Sequence, residues 1–442
     1  MTEQPQQPGG AAGRVGAGDY VRDVLAVVFL LMPLGMAWDL ESRAIGHDVI
    51  VPVTMLSILS LALPYLSTAS VLPKGLGATR LHMVRLAMNV PYLVVVLGTL
   101  VRAYTTDSTA TGVSAGTGVG MGVVFGLVGV MLAAQARVAE LRTGLSDGRL
   151  WITVTVVLTG LGVALAVISA VLFTVEFTSD PSWSEFVVLG LGFVFFAGVP
   201  LIAVSGFARG DGAWRDVTVA IGVVGLVAAL WAQGAEETMG SAWALRTAGP
   251  QILLWPALGA AAAAPGVVRH IVRSPGAGRW IDLSARLFQS VTVVGVLSML
   301  LSGFRIIDNV EDRAEHIAGI VFALIVIVAA TFGRSALVKD ARTGRPKALG
   351  VAGILILVMI VQTTVTATAR MLSITVDMAT ILSLWLVFAG AVVVALTAPA
   401  SVRAQLGPSG PDRPAEQYEV RPNFPAEDEP IWKASPESND TR

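Results

Sequence analysis

Long apolar runs, separated by short polar segments, follow one another along most of the chain. A bilayer core about 30 Å thick is crossed by roughly 20 apolar residues in a helix that rises about 1.5 Å per residue. Measured against that length, the pattern predicts about 12 transmembrane helices. We place them at 23–39, 49–72, 84–102, 113–135, 151–175, 186–207, 217–233, 251–270, 285–304, 316–333, 349–369 and 378–398.

The composition supports the same fold class, an all-α polytopic integral membrane protein. Hydrophobic residues make up 54% of the chain and charged residues 14%, whereas soluble domains carry about 25% charged residues. Most of the surface is therefore expected to face lipid. The chain has no cysteine, which excludes disulfides and thiol chemistry. Its formal net charge of −1 gives no reason to expect a nucleic acid as partner.

Basic residues are distributed unevenly between the loops. The loops after even-numbered spans are rich in Arg and Lys, for example Arg137, Arg142 and Arg149 after the fourth span. The opposite loops have few basic residues and more acidic ones, such as Glu236 and Glu237. Basic loops tend to stay on the cytoplasmic side of a membrane. We therefore predict a protein of the inner (plasma) membrane with both termini in the cytoplasm.

Several segments of the first half of the sequence recur, in the same order, in the second half. The matched segments are Arg22-Asp23-Val24 with Arg215-Asp216-Val217, GVVFGLVGVMLAAQAR at 122–137 with GIVFALIVIVAATFGR at 319–334, and Arg142-Thr143-Gly144 with Arg342-Thr343-Gly344. Six spans are an even number, so both copies would enter the membrane in the same direction. We predict two parallel six-helix repeats, at 20–210 and 213–403, related by an axis along the membrane normal.

Both ends of the chain are expected to be disordered and cytoplasmic. Residues 1–19 are rich in Gly, Pro and Gln, and residues 404–442 are acidic and rich in Pro. Such compositions cannot bury enough apolar surface to fold. The apolar pair within EDEPIWK, at 427–433, would suit docking to a protein partner, but a solvated tail is the preferred interpretation.

The first candidate functional residues are the two charged pairs that begin the first and seventh spans. Arg22-Asp23 and Arg215-Asp216 occupy corresponding places in the two repeats. They are either gate contacts at the cytoplasmic end or ordinary helix-end charges. In the second interpretation the Asp residues complement the helix dipole and the Arg residues reach the headgroups.

A second set of candidates lies deeper or at the outer ends of the same helices. Asn89 and Gln289 are polar residues in the third and ninth spans, where they would contact a ligand or hydrogen-bond a neighbouring helix. Arg102 and Arg305 lie at the outer ends of those spans. They would pair across an outer gate, for example with Asp107, or hold the helix ends in the headgroup layer.

The sequence carries no pattern that predicts catalysis or cofactor binding. No arrangement of nucleophile and base is evident. The four His residues are not spaced as metal ligands. We therefore expect a protein that is not an enzyme and has no cofactor, with the lipid bilayer as its main partner.

Two parallel six-span halves resemble the major facilitator superfamily in topology. That family usually has an Asp-Arg pair in the loop after the second span, whereas PKGLGATRLHMVR at 73–85 lacks the Asp. The segment that begins with Arg22-Asp23-Val24 and the sequence of the second span also resemble uncharacterised multi-pass proteins of high-GC Gram-positive bacteria. The first resemblance implies a transporter with its path between the halves, and the second implies no known activity.

The sequence thus leaves two classes of function open. The first is a transporter-like protein that moves an apolar or amphipathic small molecule or a lipid, because the middle of the spans is nearly free of charge. The second is a non-transporting subunit or scaffold of cell-envelope machinery. A polar cavity between the halves would favour the first class, and a solidly packed core would favour the second.

Overall fold

The computed structural model describes the chain in segments. They are residues 16–36, 38, 47–69, 71–72, 77–105, 120–142, 144–177, 183–233, 253–271, 276–308, 313–369 and 376–407. Within these residues every regular element is helical, as predicted. The elements are α1 (Ala17–Leu31), α2 (His47–Thr68), α3 (Ala78–Thr105), α4 (Met121–Ala134), α5 (Val138–Arg142), α6 (Gly148–Phe177), α7 (Trp183–Phe193), α8 (Val199–Ala208), α9 (Gly212–Gln233), α10 (Trp255–Ala262), α11 (Pro265–Ile271), α12 (Ala277–Asp308), α13 (Arg313–Lys339), α14 (Ala341–Ala369), α15 (Val376–Thr397) and α16 (Ala400–Leu406).

Ten spans among the described helices are long and apolar enough to cross a membrane, with α4 and α5 counted together and α7 and α8 counted together. The chain is therefore a multi-pass membrane protein by the length and composition of its helices. The predicted spans at 23–39 and 251–270 fall on shorter elements. The first begins in α1, which continues as a 3-10 turn at Met32–Gly35. The second is divided between α10 and α11 by Pro265, which begins a helix readily because its fixed φ suits the first turn.

The two predicted tails are slightly too long. Helix α1 begins at Ala17, so Asp19 lies within it and is 2% exposed. An acidic residue in the first turn is favourable because it faces the positive end of the helix dipole. At the other end, α16 extends to Leu406. The rest of both predicted tails, 1–15 and 408–442, lies outside the described residues.

The helix ends that were predicted to be cytoplasmic meet at one end of the bundle. Arg22, at the start of α1, donates to the carbonyl of Ala136 after α4. Gln135 in the same segment donates to the carbonyl of Ala260 in α10. Arg215, at the start of α9, donates to another carbonyl at the end of α10. The starts of α1 and α9 therefore lie at the same end of the bundle as the ends of α4 and α10, and we call this face the charged end.

Two apolar cores fill the bundle, and they do not follow the predicted repeats. The first is formed mainly by α1–α4 and α6, but α10 contributes Ala257 and Ala261 to it. The second is formed mainly by α9 and α12–α15, but α8 contributes Val199 and Ala203. Helices of each sequence half thus pack in the core of the other half. Helix α4 is apolar on all sides and buried nearly throughout, as expected of a helix at the centre of a bundle.

Helices that correspond in sequence also have different main neighbours. Helix α1 packs on α4, whereas α9, its counterpart, packs on α10 and α15. Helix α13, the counterpart of α4, packs instead on α12 and α14. The sequence similarity between the two halves is therefore not accompanied by the same pairs of packed helices. The predicted rotation of one half onto the other stays a prediction.

Candidate functional site

Three charged residues on the first turns of α1 form the edge of the candidate site. Asp19, Arg22 and Asp23 are spaced three and four residues apart, so they share one helix face. Arg22 donates to Asp19 Oδ1 at 2.9 Å, so it forms an ion pair along the helix. Asp23 is left to bind another part of the chain.

That other part is Arg137, in the segment after α4. Its Nε atom donates to Asp23 Oδ2 at 3.0 Å, and its Nη2 atom donates to the Leu61 carbonyl at 3.0 Å. The Tyr65 hydroxyl donates to the same Asp23 oxygen at 2.5 Å, and the guanidinium lies 5.4 Å from the centre of the Tyr65 ring. Arg137 is 1% exposed. It therefore joins α1, α2 and the end of α4 from a position closed to solvent.

A second buried arginine makes a bidentate ion pair. Arg85 of α3 donates to both carboxylate oxygens of Glu140, at 3.1 and 3.0 Å, and to the Gln135 carbonyl at 2.5 Å. The backbone N–H of Arg137 donates to Glu140 Oε2 at 2.7 Å. Arg85 is 0% exposed. Paired donors and acceptors of opposite charge form the strongest kind of protein hydrogen bond, so this pair fixes α5 against α3.

His82 and Asp147 continue the site toward α6. Nδ1 of His82 lies 3.2 Å from an Arg85 nitrogen, which can only donate, so that contact assigns the ring proton to Nε2 in the neutral imidazole. His82 Nε2 is 3.9 Å from Asp147 Oδ2. The same oxygen accepts from the Trp151 indole at 2.9 Å and from the Ala136 N–H at 3.3 Å. Asp147 thereby ties the start of α6 to the segment after α4.

We call these residues the charge cluster. It consists of Asp19, Arg22, Asp23, Tyr65, His82, Arg85, Arg137, Glu140 and Asp147. Removing such charges from water costs several kcal/mol per ion, and the attraction between partners barely offsets that cost. The charge cluster is therefore expected to contribute little net stability to the folded protein. Its contacts cross between five membrane helices and α5, all at the charged end.

The charged pair at the start of α9 has a simpler setting. Arg215 does bind its neighbour Asp216, at 2.5 Å, and also the Ala262 carbonyl at 2.9 Å. Asp216 accepts in addition from Arg279 of α12, at 2.6 to 2.9 Å. The Arg residue thus binds the adjacent Asp in the second copy, whereas in the first copy Arg22 binds Asp19.

The remaining candidates lie outside the charge cluster, although Asn89 donates to the backbone carbonyl of Arg85. Asn89 lies one turn beyond Arg85 on α3, is 1% exposed and donates to Ser60 Oγ at 3.0 Å. Gln289 is half-buried in α12, and Arg305 is half-buried nearer its outer end. Arg102 is exposed at the end of α3. Asp107, the suggested partner for an outer gate, lies outside the described residues.

Sequence reasoning missed the most buried members of the site. Arg85 and Arg137 were interpreted only as basic loop residues, and Glu140 and Asp147 were not considered. The available signal was the presence of two acidic residues in a loop that was otherwise basic. A second signal was the spacing of His82, Arg85 and Asn89, which places polar residues on one face of an apolar helix.

The buried charges at the ends of apolar helices define a multi-pass membrane protein with an ionic site at one end. Within that class, the chain belongs to the family described as a domain of unknown function, DUF7937, whose model matches residues 19–405. The match includes the whole charge cluster and both predicted repeats. No curated protein and no solved structure matches the chain.

Proposed function

We propose that the protein is a transporter-like membrane protein and that the charge cluster is its gate at the cytoplasmic end. The observation that carries this proposal is the Asp23–Arg137 ion pair at 2.9 Å, with side chains 11% and 1% exposed, between helix α1 and the segment after α4. Buried ionisable groups in membrane proteins are rare and mark pathways and switches more often than structural supports. An ion pair that contributes little net stability can open at small cost when water reaches both partners.

The substrate proposed for this path is apolar or amphipathic, such as a lipid or a small hydrophobic molecule. Both cores are lined by aliphatic and aromatic side chains. The charge cluster lies at one end of the helices rather than at mid-depth. A path between two pseudo-symmetric halves would therefore offer a charged substrate few partners over most of its length.

A specific observation favours the alternative, a non-transporting subunit or scaffold. Helices α9 and α10 touch at Gly222 and Gly259, where an added Cβ on Gly222 would lie 2.4 Å from the Cα of Gly259. The cleft between α6, α8 and α10, lined in part by Thr159, Pro200 and Trp255, has a volume of about 10 Å³, enough for one water molecule. Such close packing suits a rigid support, with the C-terminal tail docking a partner protein.

The proposed gate is tested by cysteine labelling, since the chain has no native cysteine. The reporter is Leu61→Cys, because Leu61 is 5% exposed and its carbonyl binds Arg137. In inside-out vesicles, Arg137→Ala should increase the labelling of this cysteine by an impermeant maleimide. The matched control, Arg279→Ala, removes an ion pair of the second half and should leave labelling unchanged.

The charge-swapped pair, Asp23→Arg with Arg137→Asp, should return labelling toward the original rate. Unchanged labelling in a folded Arg137→Ala protein would contradict the gate and favour the scaffold. Loss of folding in that variant directs the comparison to Arg137→Lys, which keeps the charge and removes the planar fork that binds Asp23 and Leu61 together.

The cytoplasmic placement of the charged end has its own test. Cysteines replacing Ser182 and Asn309, in predicted outer loops, should react with an impermeant maleimide in intact cells. Cysteines replacing Arg149 and Thr343, both exposed at the charged end, should not. Gly148 is unsuitable for this purpose because a Cβ there would lie 2.6 Å from the Gly266 carbonyl oxygen. The reverse pattern would invert the proposed topology.

A further inference from the structure

Helices α2 and α3 face each other across a seam of uncharged polar side chains. Thr54, Ser57 and Ser60 lie on α2, and Asn89 and Tyr92 lie on α3. All five residues are at most 1% exposed, with Thr54, Ser57, Ser60 and Tyr92 at 0%. The charge cluster begins one turn away, at Arg85. We call these five residues the hydroxyl seam.

Hydrogen bonds fix the register of the seam at Asn89. Its amide nitrogen donates to Ser60 Oγ at 3.0 Å and to the Arg85 carbonyl at 2.8 Å. Ser60 Oγ in turn donates to the Ser57 carbonyl at 2.6 Å. Both amide hydrogens of Asn89 are therefore used, and its Oδ1 atom remains as an acceptor.

Ser57 Oγ and Asn89 Oδ1 of the seam are buried without a hydrogen-bond partner among the described residues. The Thr54 and Tyr92 hydroxyls interact with each other and have no further partner there. Several hydroxyls elsewhere in the membrane helices donate to the carbonyl four residues earlier, as those of Thr99, Thr155 and Thr159 do. A buried polar group without a partner costs roughly 1–3 kcal/mol. The oxygens of the seam are thus available to a ligand at a place where leaving them unpaired is unfavourable.

Prolines add backbone oxygens to the seam, and α4 closes its third side. Pro64 and Pro91 have no N–H, so the carbonyls of Ser60 and Ala87 lack their usual donor within the helix. The Tyr92 hydroxyl lies against Gly126 of α4, where an added Cβ would be 1.9 Å from it. The glycine makes room for the phenol, which brings its oxygen to the α4 side of the seam.

The chemistry of these oxygens points to a small monovalent cation. Side-chain amide, hydroxyl and backbone carbonyl oxygens are hard ligands without charge, whereas calcium sites use carboxylates and softer metals use nitrogen or sulfur. Transport proteins bind Na⁺ with carbonyl oxygens of interrupted helices near mid-depth. The positive charge of neighbouring Arg85 is offset by its bidentate partner Glu140.

We propose that the hydroxyl seam of α2 and α3, at Thr54, Ser57, Asn89 and Tyr92, is a binding site for Na⁺. Bound there, the ion joins the two helices and, through Asn89 and the Arg85 carbonyl, stiffens the helix that carries Arg85 into the charge cluster. This proposal does not depend on the gate proposed above. Na⁺ binding can be measured on the purified protein whether or not the protein transports a substrate.

The test is thermal unfolding of the purified full-length protein in detergent, with Na⁺, K⁺ or choline at constant ionic strength. Na⁺ should raise Tm in a saturable way, since a ligand that binds only the folded state stabilises it, and K⁺ and choline should not. Thr54→Val and Ser57→Ala should each weaken the apparent Na⁺ affinity about tenfold or more. Thr99→Val and Thr159→Val are matched controls whose hydroxyls are already bonded, and they should retain the wild-type response.

Retention of radioactive Na⁺ by the wild-type protein, displaced by unlabelled Na⁺ and not by K⁺, supplies a measurement that needs no variant. Equal Tm in all three salts with no retained Na⁺ would overturn the proposal and leave ordered water as the partner of these oxygens. A Na⁺ response that persists in both seam variants would overturn the assignment to this seam.

Discussion

Arg85 and Arg286 occupy corresponding places in the two sequence halves, each followed by Leu, yet their surroundings differ. Arg85 is fully buried and binds both oxygens of Glu140. The Arg286 side chain is 38% exposed, lies 3.2 Å from a carboxylate oxygen of Asp211 and stacks 5.0 Å from the Trp214 ring. The same cation at the same helix end thus serves a buried network in one half and a surface contact in the other.

The difference arises from the segment that follows the central helix of each half. After α4, the chain forms the short helix α5 and brings Glu140 under Arg85. After α13, the single residue Asp340 leads directly into α14. The second half therefore has no counterpart of Glu140. Arg334, the counterpart of Arg137, is exposed at the end of α13.

The largest expected effect is the difference in stability between alanine substitutions at Arg85 and at Arg286. Arg85→Ala should destabilise the protein by about 3–5 kcal/mol, because it leaves the Glu140 carboxylate buried without its partner. Arg286→Ala should cost about 0–1 kcal/mol, since its pair is exposed to solvent. Reversible unfolding in mixed detergent micelles measures both. Equal losses would show that burial in the first half has no energetic consequence.

The repeated Arg-Thr-Gly segment gives the next largest effect. Gly144 has a φ of +98° with open space around it, whereas Gly344 lies inside α14, where a Cβ would be 2.3 Å from the Ala336 carbonyl oxygen. Gly144→Ala should cost about 1–2 kcal/mol through its left-handed backbone. Gly344→Ala should cost about 3 kcal/mol or slightly less, as an overpacked contact with a backbone that cannot move aside.

The same unfolding measurement ranks the two glycine variants, and Gly353→Ala in α14 is the control because no atom lies near its added Cβ. A larger loss at Gly144 than at Gly344 would mean that backbone conformation outweighs helix contact at this position. The repeated tripeptide is thus expected to be kept in both halves for two different reasons.

These contrasts explain what the sequence could predict. Most helix positions follow from apolar length, whereas the side of the membrane on which each helix end lies stays a prediction from the distribution of basic residues. The faces of α2 and α3 were also readable, since Ser57 and Leu61, or Arg85 and Asn89, are one turn apart. The partner of each buried charge was not readable, because Glu140 reaches Arg85 only through the path of α5. Nor does sequence similarity between the halves determine which helices pack together.

A smaller effect concerns the exposed turn that replaces α5 in the second half. The Asp340 carboxylate accepts from the Thr343 hydroxyl at 2.6 Å and from the Arg342 N–H at 3.0 Å. These hydrogen bonds, with that of the Thr343 hydroxyl the largest cause, lower the pKa of Asp340 from its ordinary value of 3.8. A lowered pKa means that the folded state favours the ionised carboxylate. The resulting stabilisation is present above the unfolded value and is lost as pH falls through the folded one.

Asp340→Asn should therefore lower stability slightly at neutral pH, and the difference from the wild type should shrink below about pH 4. Unfolding curves of the two proteins at matched ionic strength provide the measurement. Asp282→Asn, at another exposed carboxylate near the charged end, is the control. A difference that is constant with pH would assign the effect to the side-chain substitution rather than to ionisation at Asp340.

The smallest expected effect extends the comparison to the outer helix ends, at Arg102 and Arg305. If Arg305 holds an outer gate with Asp107, Arg305→Glu should increase labelling from outside of a cysteine at Val96, a buried residue of α3. An exposed ion pair contributes about 0–1 kcal/mol, so the labelling rate should change by no more than about fivefold. Adding Asp107→Arg should restore the original rate, and expression and Tm should stay nearly constant throughout. Since Arg102 is exposed at the end of α3, Arg102→Glu should have the weaker effect. No change in labelling with Arg305→Glu would contradict the outer gate. Both arginines would then be interpreted as contacts with lipid headgroups, which require no opening and closing of the protein.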